Sequence, residues 1–318
     1  MSVDVVTLGE AMLRLSVPTG IRLPEMNTLQ VSVGGAESNV AVALARMGCS
    51  AAWISALPDN ELGRHALGHL NRHGVDTRFV VTVPDTRMGL YFVEHGSLPR
   101  PTRVIYDRED SAVTHLRSCD IPWGEVESAK VVHITGITPA LSEGLRQLAF
   151  EFTEKARSAG VAVCVDINYR AHLWGTEEAR SVLHELCQQS TLVILSEEDA
   201  RDVFGLAGSG SDLAEKAQSM FAAKHVALTR GSDGALVSDG DRTVEEPGMD
   251  VTVVDRIGSG DAFAAGLILG ILDGDVFNAL PSAVAMAVVK LGIAGDHFLA
   301  DPSDVAGIMT RTGREVNR

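Results

Sequence analysis

The chain has no run of about 18 uncharged apolar residues, the least a membrane-spanning helix needs, so no span is expected. Its start, Met1-Ser2-Val3-Asp4, has neither a basic segment nor a following apolar core, and no secretory leader is expected. The four cysteines, Cys49, Cys119, Cys164 and Cys187, are widely spaced and form no Cys-x-x-Cys pair. That argues against a zinc site and a disulfide framework alike. Three of them lie in or beside apolar patterns, which predicts buried free thiols in a reduced, cytoplasmic protein. Basic residues are also short: 27 Lys and Arg against 42 Asp and Glu give a net charge of −15. Such a chain lacks the basic face of a general nucleic-acid binder, although a local positive nest can still hold a small anion. No repeat, low-complexity segment or long linker divides the sequence. The 318 residues are therefore read as one large α/β domain spanning 1–318.

Taken in order, Val5-Val6-Thr7-Leu8 reads as a buried first strand. Met12–Ser16 and Leu29–Val33 alternate apolar and polar residues, as half-exposed strands do. Gly34-Gly35 opens a helix ending at Gly48, and offers either a close backbone approach to a ligand, with Asn39 beside it, or a plain tight turn with a cap. Ala51–Leu57 is a strand and Asn60–His73 an amphipathic helix. On that helix His65, His69 and His73 recur at i, i+4 and i+8, which reads as a solvated face rather than a metal site. Phe79–Val83, Met88–Glu94 and Arg103–Asp107 are further strands. The last two, with the early alternating pair, make a small sheet from about 12–33 and 88–110. This sheet stands as a lid, and Tyr91, Tyr106 and Arg108 are groups it could aim at a ligand. From Val131 strands and helices alternate, the rhythm of a doubly wound, mostly parallel sheet with helices on both faces. Ligands bind such sheets at the carboxyl ends of strands. One such end carries Asp166-Ile167-Asn168-Tyr169-Arg170, whose Arg170 could pair with a substrate carboxylate.

The stretch Val253 to Leu267 concentrates the chemistry. Gly258-Ser259-Gly260 is a turn of minimal bulk before an apolar helix, so unsatisfied N–H groups and the positive helix end meet at one point. Asp261 adds a carboxylate beside that nest. Two readings stand at this point: a helix cap after a glycine turn, or a proton acceptor beside an anion hole, as phosphoryl transfer requires.

Gly34-Gly35…Asn39 near the start and Asp255-x-x-Gly258-Ser259-Gly260-Asp261 near the end resemble the paired motifs of the PfkB (ribokinase-family) carbohydrate kinases, over nearly the whole chain. Within that family Gly9-Glu10-Ala11-Met12-Leu13, Val104-Ile105-Tyr106-Asp107-Arg108, Asp166-Ile167-Asn168-Tyr169-Arg170 and Gly295-Asp296 are similar to the 2-keto-3-deoxygluconate kinase branch. The resemblance implies a ribokinase-like fold and ATP-dependent phosphorylation of the 6-hydroxyl of 2-keto-3-deoxy-D-gluconate. A neutral sugar (fructose, ribose) or the galacto epimer is the alternative substrate. It implies Asp261 as the base and the amides of Gly258, Ser259 and Gly260 as the anion hole. Gly34, Gly35, Asn39, Tyr91, Tyr106, Arg108 and Arg170 are implied at the sugar, and Ser196, Thr229, Gly231, Gly234, Gly260 and Lys290 at the nucleotide. Mg²⁺ is implied at Asp199 and Asp255, with Asp255 also near a monovalent-cation (K⁺) loop. The family's Asn-x-x-Glu appears here as Ser196-x-x-Asp199, whose shorter carboxylate would reach the metal through water. Two arginines suit a sugar acid better than a neutral sugar. A nicotinamide-linked dehydrogenase is disfavoured, since no Gly-x-Gly-x-x-Gly follows the first strand. The exposed edges of the lid predict a homodimer or higher homo-oligomer through the lid sheets.

Overall fold

Strand β1 (Val5–Leu8) is buried at every position, and this explains why it reads as a nearly continuous apolar run, with Thr7 its one polar residue, rather than an alternating one. The computed structural model describes residues 3–96, 100–188 and 190–310. After β1 come β2 (Met12–Ser16), β3 (Gln30–Gly34), α1 (Ala36–Arg46), β4 (Ala51–Pro58), α2 (Glu61–Arg72), β5 (Val80–Val83), β6 (Gly89–Glu94) and β7 (Arg103–Asp107). The second half carries α3 (Trp123–Ser128), β8 (Val131–Thr135), α4 (Glu143–Ser158), β9 (Ala162–Asp166), α5 (Thr176–Cys187), β10 (Leu192–Ser196), α6 (Glu197–Asp202) and α7 (Gly210–Phe221). It closes with β11 (His225–Thr229), β12 (Ala235–Ser238), β13 (Thr243–Glu246), α8 (Ser259–Asp273), α9 (Val276–Leu291) and α10 (Pro302–Thr310).

Nine strands form one sheet in the order β13-β12-β11-β10-β9-β8-β1-β4-β5. It is parallel from β11 to β5, and only β12 runs against its neighbours. From β1 the chain moves outward through β4 and β5, and from β8 it moves the other way through β9, β10 and β11. The switch point therefore lies between β1 and β8, where a crevice opens at the strand ends. One apolar core under α4, α5 and α7 covers one face of the sheet. A second, under α1, α8 and α9, covers the other.

Four strands, in the order β3-β2-β6-β7, make the separate lid sheet over the crevice. Its register puts Ser32, Arg14, Tyr91 and Tyr106 in one cross-strand row and Val31, Leu15, Phe92 and Ile105 in the next. Because side chains alternate across a strand, the first row faces the crevice and the second faces away. Residues 97–99 of the β6–β7 connection lie outside the described residues.

Two expectations are corrected. Helix α8 begins at Ser259, with Gly258 as its left-handed cap at φ +90°, so Asp261 lies within the first turn. The face of α2 bearing the histidines is not simply solvated. His69 is half-buried, its Nε2 lies 2.9 Å from Nδ1 of buried His297, and burial pulls its pKa down to about 4. Helices α3 and α7 were not anticipated. The Gly208-Ser209-Gly210-Ser211 run ahead of α7 has the composition of a loop, yet its amphipathic residues Leu213, Ala214, Ala217 and Phe221 find the core.

Candidate active site

The crevice at the switch point is a cleft of about 1000 Å³. Its walls include Asn39, Tyr106, Arg108, Asp166, Arg170 and Asp261. A second cavity of about 540 Å³ is more apolar, lined by Thr229, Gly231, Gly234, Met249, Phe263 and Val288 among others. Val253, Arg256 and Gly260 line both, so the turn that opens α8 is the partition between them.

Asp261 sits on the cleft side of that partition and is buried. The Gly35 N–H donates to Oδ1 of Asn39 at 3.3 Å, which turns the amide so that Nδ2 donates to Oδ2 of Asp261 at 2.6 Å. Burial raises the Asp261 pKa to about 7; the Asn39 hydrogen bond opposes that rise and nearby Asp296 adds to it. Gly35 admits no side chain, since a Cβ there would stand 2.0 Å from the carbonyl oxygen of Glu10. Among the described residues the N–H groups of Gly260 and Asp261 have no hydrogen-bond acceptor, as the first turn of a helix leaves them. The Ser259 hydroxyl turns back to donate to Arg256 O at 2.9 Å. What the loop presents is therefore backbone.

The two arginines differ. Arg170 is half-buried at the end of β9 and donates from Nη1 to its neighbour Tyr169 O at 2.9 Å. Arg108 is ion-paired with buried Glu10, which also accepts from the Ser111 hydroxyl. The Arg108 guanidinium lies 5.6 Å from the Tyr106 ring centroid, and its Nε is buried without a partner. Tyr106 stacks on Tyr91 with centroids 5.8 Å apart. The Tyr91 hydroxyl donates to Oδ2 of Asp296 at 2.6 Å, and Gly34 is small because a Cβ would meet both groups.

Thr229, Gly231 and Gly234 line the second cavity as one group. Ser196, Asp199 and Lys290 line neither cavity. Ser196 caps α6, its hydroxyl accepting from Asp199 N–H at 2.9 Å. The Asp199 carboxyl and the Asp166 carboxyl are both pushed up, chiefly by burial, and Asp166 additionally by Asp261 and Asp199. Asp255 is fully engaged by donors: Oδ2 accepts from Arg14 at 2.6 Å and Gly295 N–H at 3.1 Å, and Oδ1 from Ile257 N–H at 3.2 Å. Lys290 is buried and its Nζ donates to Ile293 O at 3.0 Å.

Sequence reasoning left Glu10, Arg14, Asp166 and Asp296 without roles. A charged residue directly after a buried strand marks Glu10, and a strand-terminal carboxylate marks Asp166. Nothing local marks Arg14, whose carboxylate partners are 241 and 282 residues away.

A chain with this arrangement has close relatives. It is 41% identical to a 2-dehydro-3-deoxygalactonokinase of Haloferax volcanii over 100% of both chains. The crystal structure of a 2-dehydro-3-deoxygluconokinase from Thermotoga maritima superposes with a TM-score of 0.91 at 33% identity, covering 97% of this chain and 100% of that one. An uncharacterised sugar kinase of Pyrococcus horikoshii, crystallised in complex with ATP, gives a TM-score of 0.81 at 26% identity, covering 94% and 96%. The model of the pfkB family carbohydrate kinases matches residues 3–298. With a polar cleft and an apolar slot meeting at a glycine turn beside the buried carboxylate of Asp261, and with that match along nearly its whole length, the chain belongs to the pfkB family of carbohydrate kinases.

Proposed function

We propose that this kinase transfers the γ-phosphoryl group of ATP to the 6-hydroxyl of a 2-keto-3-deoxy sugar acid. The observation that carries the reading is the partition: Gly260 borders both cavities, with Asp261 on the cleft side. A nucleotide in the apolar slot would meet an acceptor in the polar cleft at that turn. Asp261 accepts the hydroxyl proton, a role suited to a carboxyl whose pKa stands near 7. The free amides of the α8 first turn face the transferred phosphoryl, where fixed donors act without reorganising.

Arg108 and Arg170, which both line the cleft, are the groups for the acid's carboxylate. Glu10 holds Arg108 in place, and Gly34 acts through packing on Tyr91 and Asp296 rather than by touching sugar. Among the described residues no three His, Cys, Asp or Glu side chains are placed to hold a metal ion alone. The crowded Asp166 and Asp199 carboxyls still fit a divalent cation that arrives largely on the nucleotide's phosphates. Bound Mg²⁺ would neutralise charge on those phosphates; Asp166, on the cleft wall, would hold it or its waters, and Asp199, behind that wall, would act through its charge on Asp166. Asp255, taken up by Arg14, is assigned to organising the loop instead of ligating Mg²⁺.

The gluco epimer is the substrate expected from the motifs. The 41% identity to the Haloferax volcanii enzyme over the full length favours the galacto epimer. Rates on the two epimers, on fructose and on ribose decide the class. The wild type is expected to use a keto-deoxy acid selectively. Arg170→Ala is expected to raise KM for the acid about tenfold to hundredfold, the cost of one charge-assisted contact. Equal turnover of neutral sugars by the wild type, or an unchanged KM in Arg170→Ala, would overturn the carboxylate assignment.

A further inference from the structure

A buried cation is costly unless carboxylates or carbonyls pair with it, and this chain keeps two of them beneath the anion-binding turn. Arg14, on the cleft-facing row of the lid, donates to Asp255 at 2.6 Å and to Asp296 at 2.7 Å. Lys290, at the end of α9, is fully buried and donates to the Ile293 carbonyl. Its Cε stands 3.1 Å from where a Cβ on Gly258 would be, so its stem lies directly against the turn. The same turn is tied to the segment after α9. Val254 N–H and Asp255 N–H donate to Leu291 O at 2.8 and 3.2 Å.

The family resemblance makes a monovalent cation an expected ligand of this loop. A hard cation needs oxygen atoms free to face it. Here both oxygens of Asp255 accept N–H donors, Leu291 O accepts two amides, and Ile293 O accepts Lys290. A further cation would also sit against a guanidinium and an ammonium group in a poorly solvated place. The residues do not fit a resident potassium ion.

We propose that Arg14 and Lys290 supply from within the chain the fixed positive charge beneath the turn, with Lys290 a positioning residue for Gly258–Gly260. In consequence the protein folds and phosphorylates without a monovalent cation. Burial pulls the Lys290 pKa down, and the neighbouring carboxylates Asp255, Asp296 and Asp261 work against that pull, Arg14 with it. A tethered charge needs no binding step, and charge fixed in advance stabilises a transferring phosphoryl without reorganisation. Only the catalytic half of this proposal rests on the kinase reading above.

The test compares tetramethylammonium chloride with potassium chloride at equal ionic strength, on the intact chain, by unfolding midpoint and by phosphorylation rate. The wild type is expected to show the same midpoint in both salts and rates within about twofold. Lys290→Met is expected to lose about tenfold or more in kcat with little change in KM, and Lys290→Arg to recover most of it. A potassium-specific rise in the wild-type midpoint, a rate gain of about tenfold with potassium, or an undiminished kcat in Lys290→Met would overturn the proposal. If Lys290→Met does not fold, the wild-type comparison decides. If no acid is phosphorylated in either salt, the sugar-acid reading fails, and the midpoints still decide the cation site.

Discussion

Asp261 is ordinary in sequence and unusual in place. Its motif was legible because a glycine turn before an apolar helix announces itself locally. Its pKa was not, because burial beneath Asn39 and the neighbouring Asp296 come from residues far along the chain. The consequence is a defined pH response. The carboxyl titrates near 7 when folded against 3.8 as a free side chain, so between those values the folded chain holds the extra proton and stability falls as pH rises. Catalysis runs the other way, since a base must be ionised. For the free enzyme kcat/KM is expected to fall about tenfold per unit once pH drops below roughly 7, and kcat is expected to fall with the same slope but at lower pH, where bound Mg²⁺ favours the carboxylate. A kcat/KM profile flat down to about pH 5 would show that Asp261 is not the group being titrated. Arg14 illustrates the opposite limit of sequence reading. On an alternating strand it looks like a solvated charge, and only the closed lid reveals that it is buried between Asp255 and Asp296.

Among the elements, the lid strands were readable because one of their faces is polar, and alternation follows. The inner strands of the main sheet were readable for the opposite reason, being buried on both faces and largely apolar. Helices α8 and α9 are buried on most sides, so they carry little amphipathic pattern and are recognised by their length and their caps. Helix α7 escaped because its first turn is built from Gly and Ser. The lid's outward row is the element-scale feature without an evident partner. Val31 and Ile105, 53% and 54% exposed, flank Leu15 and Phe92 across all four strands. We propose that two lids pair through this row, giving the homodimer expected from the exposed edges. Light scattering should then report a dimer, and Ile105→Asp, at an exposed position that the fold does not need, should weaken it by about tenfold or more. A wild type that stays monomeric at working concentration would refute the pairing.

At the scale of the whole molecule, function follows from where the sheet reverses. The switch between β1 and β8 opens the crevice, Glu37 ties α1 to it by accepting from Thr135 and Thr138 at 2.8 and 2.7 Å, and the lid closes over it from two insertions. Helix α8 then places one turn between a polar cleft and an apolar slot. Residues from the first, middle and last parts of the chain meet there, Asn39, Arg170 and Asp261 among them, and no short window of sequence could show it. The central claim is that Asp261 is the base at this junction. The most direct test pairs turnover with binding in Asp261→Asn, using ATP, Mg²⁺ and a 2-keto-3-deoxy sugar acid, with calorimetry for the acid. The side chain keeps its size and can still accept from Asn39. Binding of the acid should therefore stay within a few-fold, while turnover falls by about a hundredfold to ten-thousandfold. Turnover close to that of the wild type, with binding intact, would contradict the assignment.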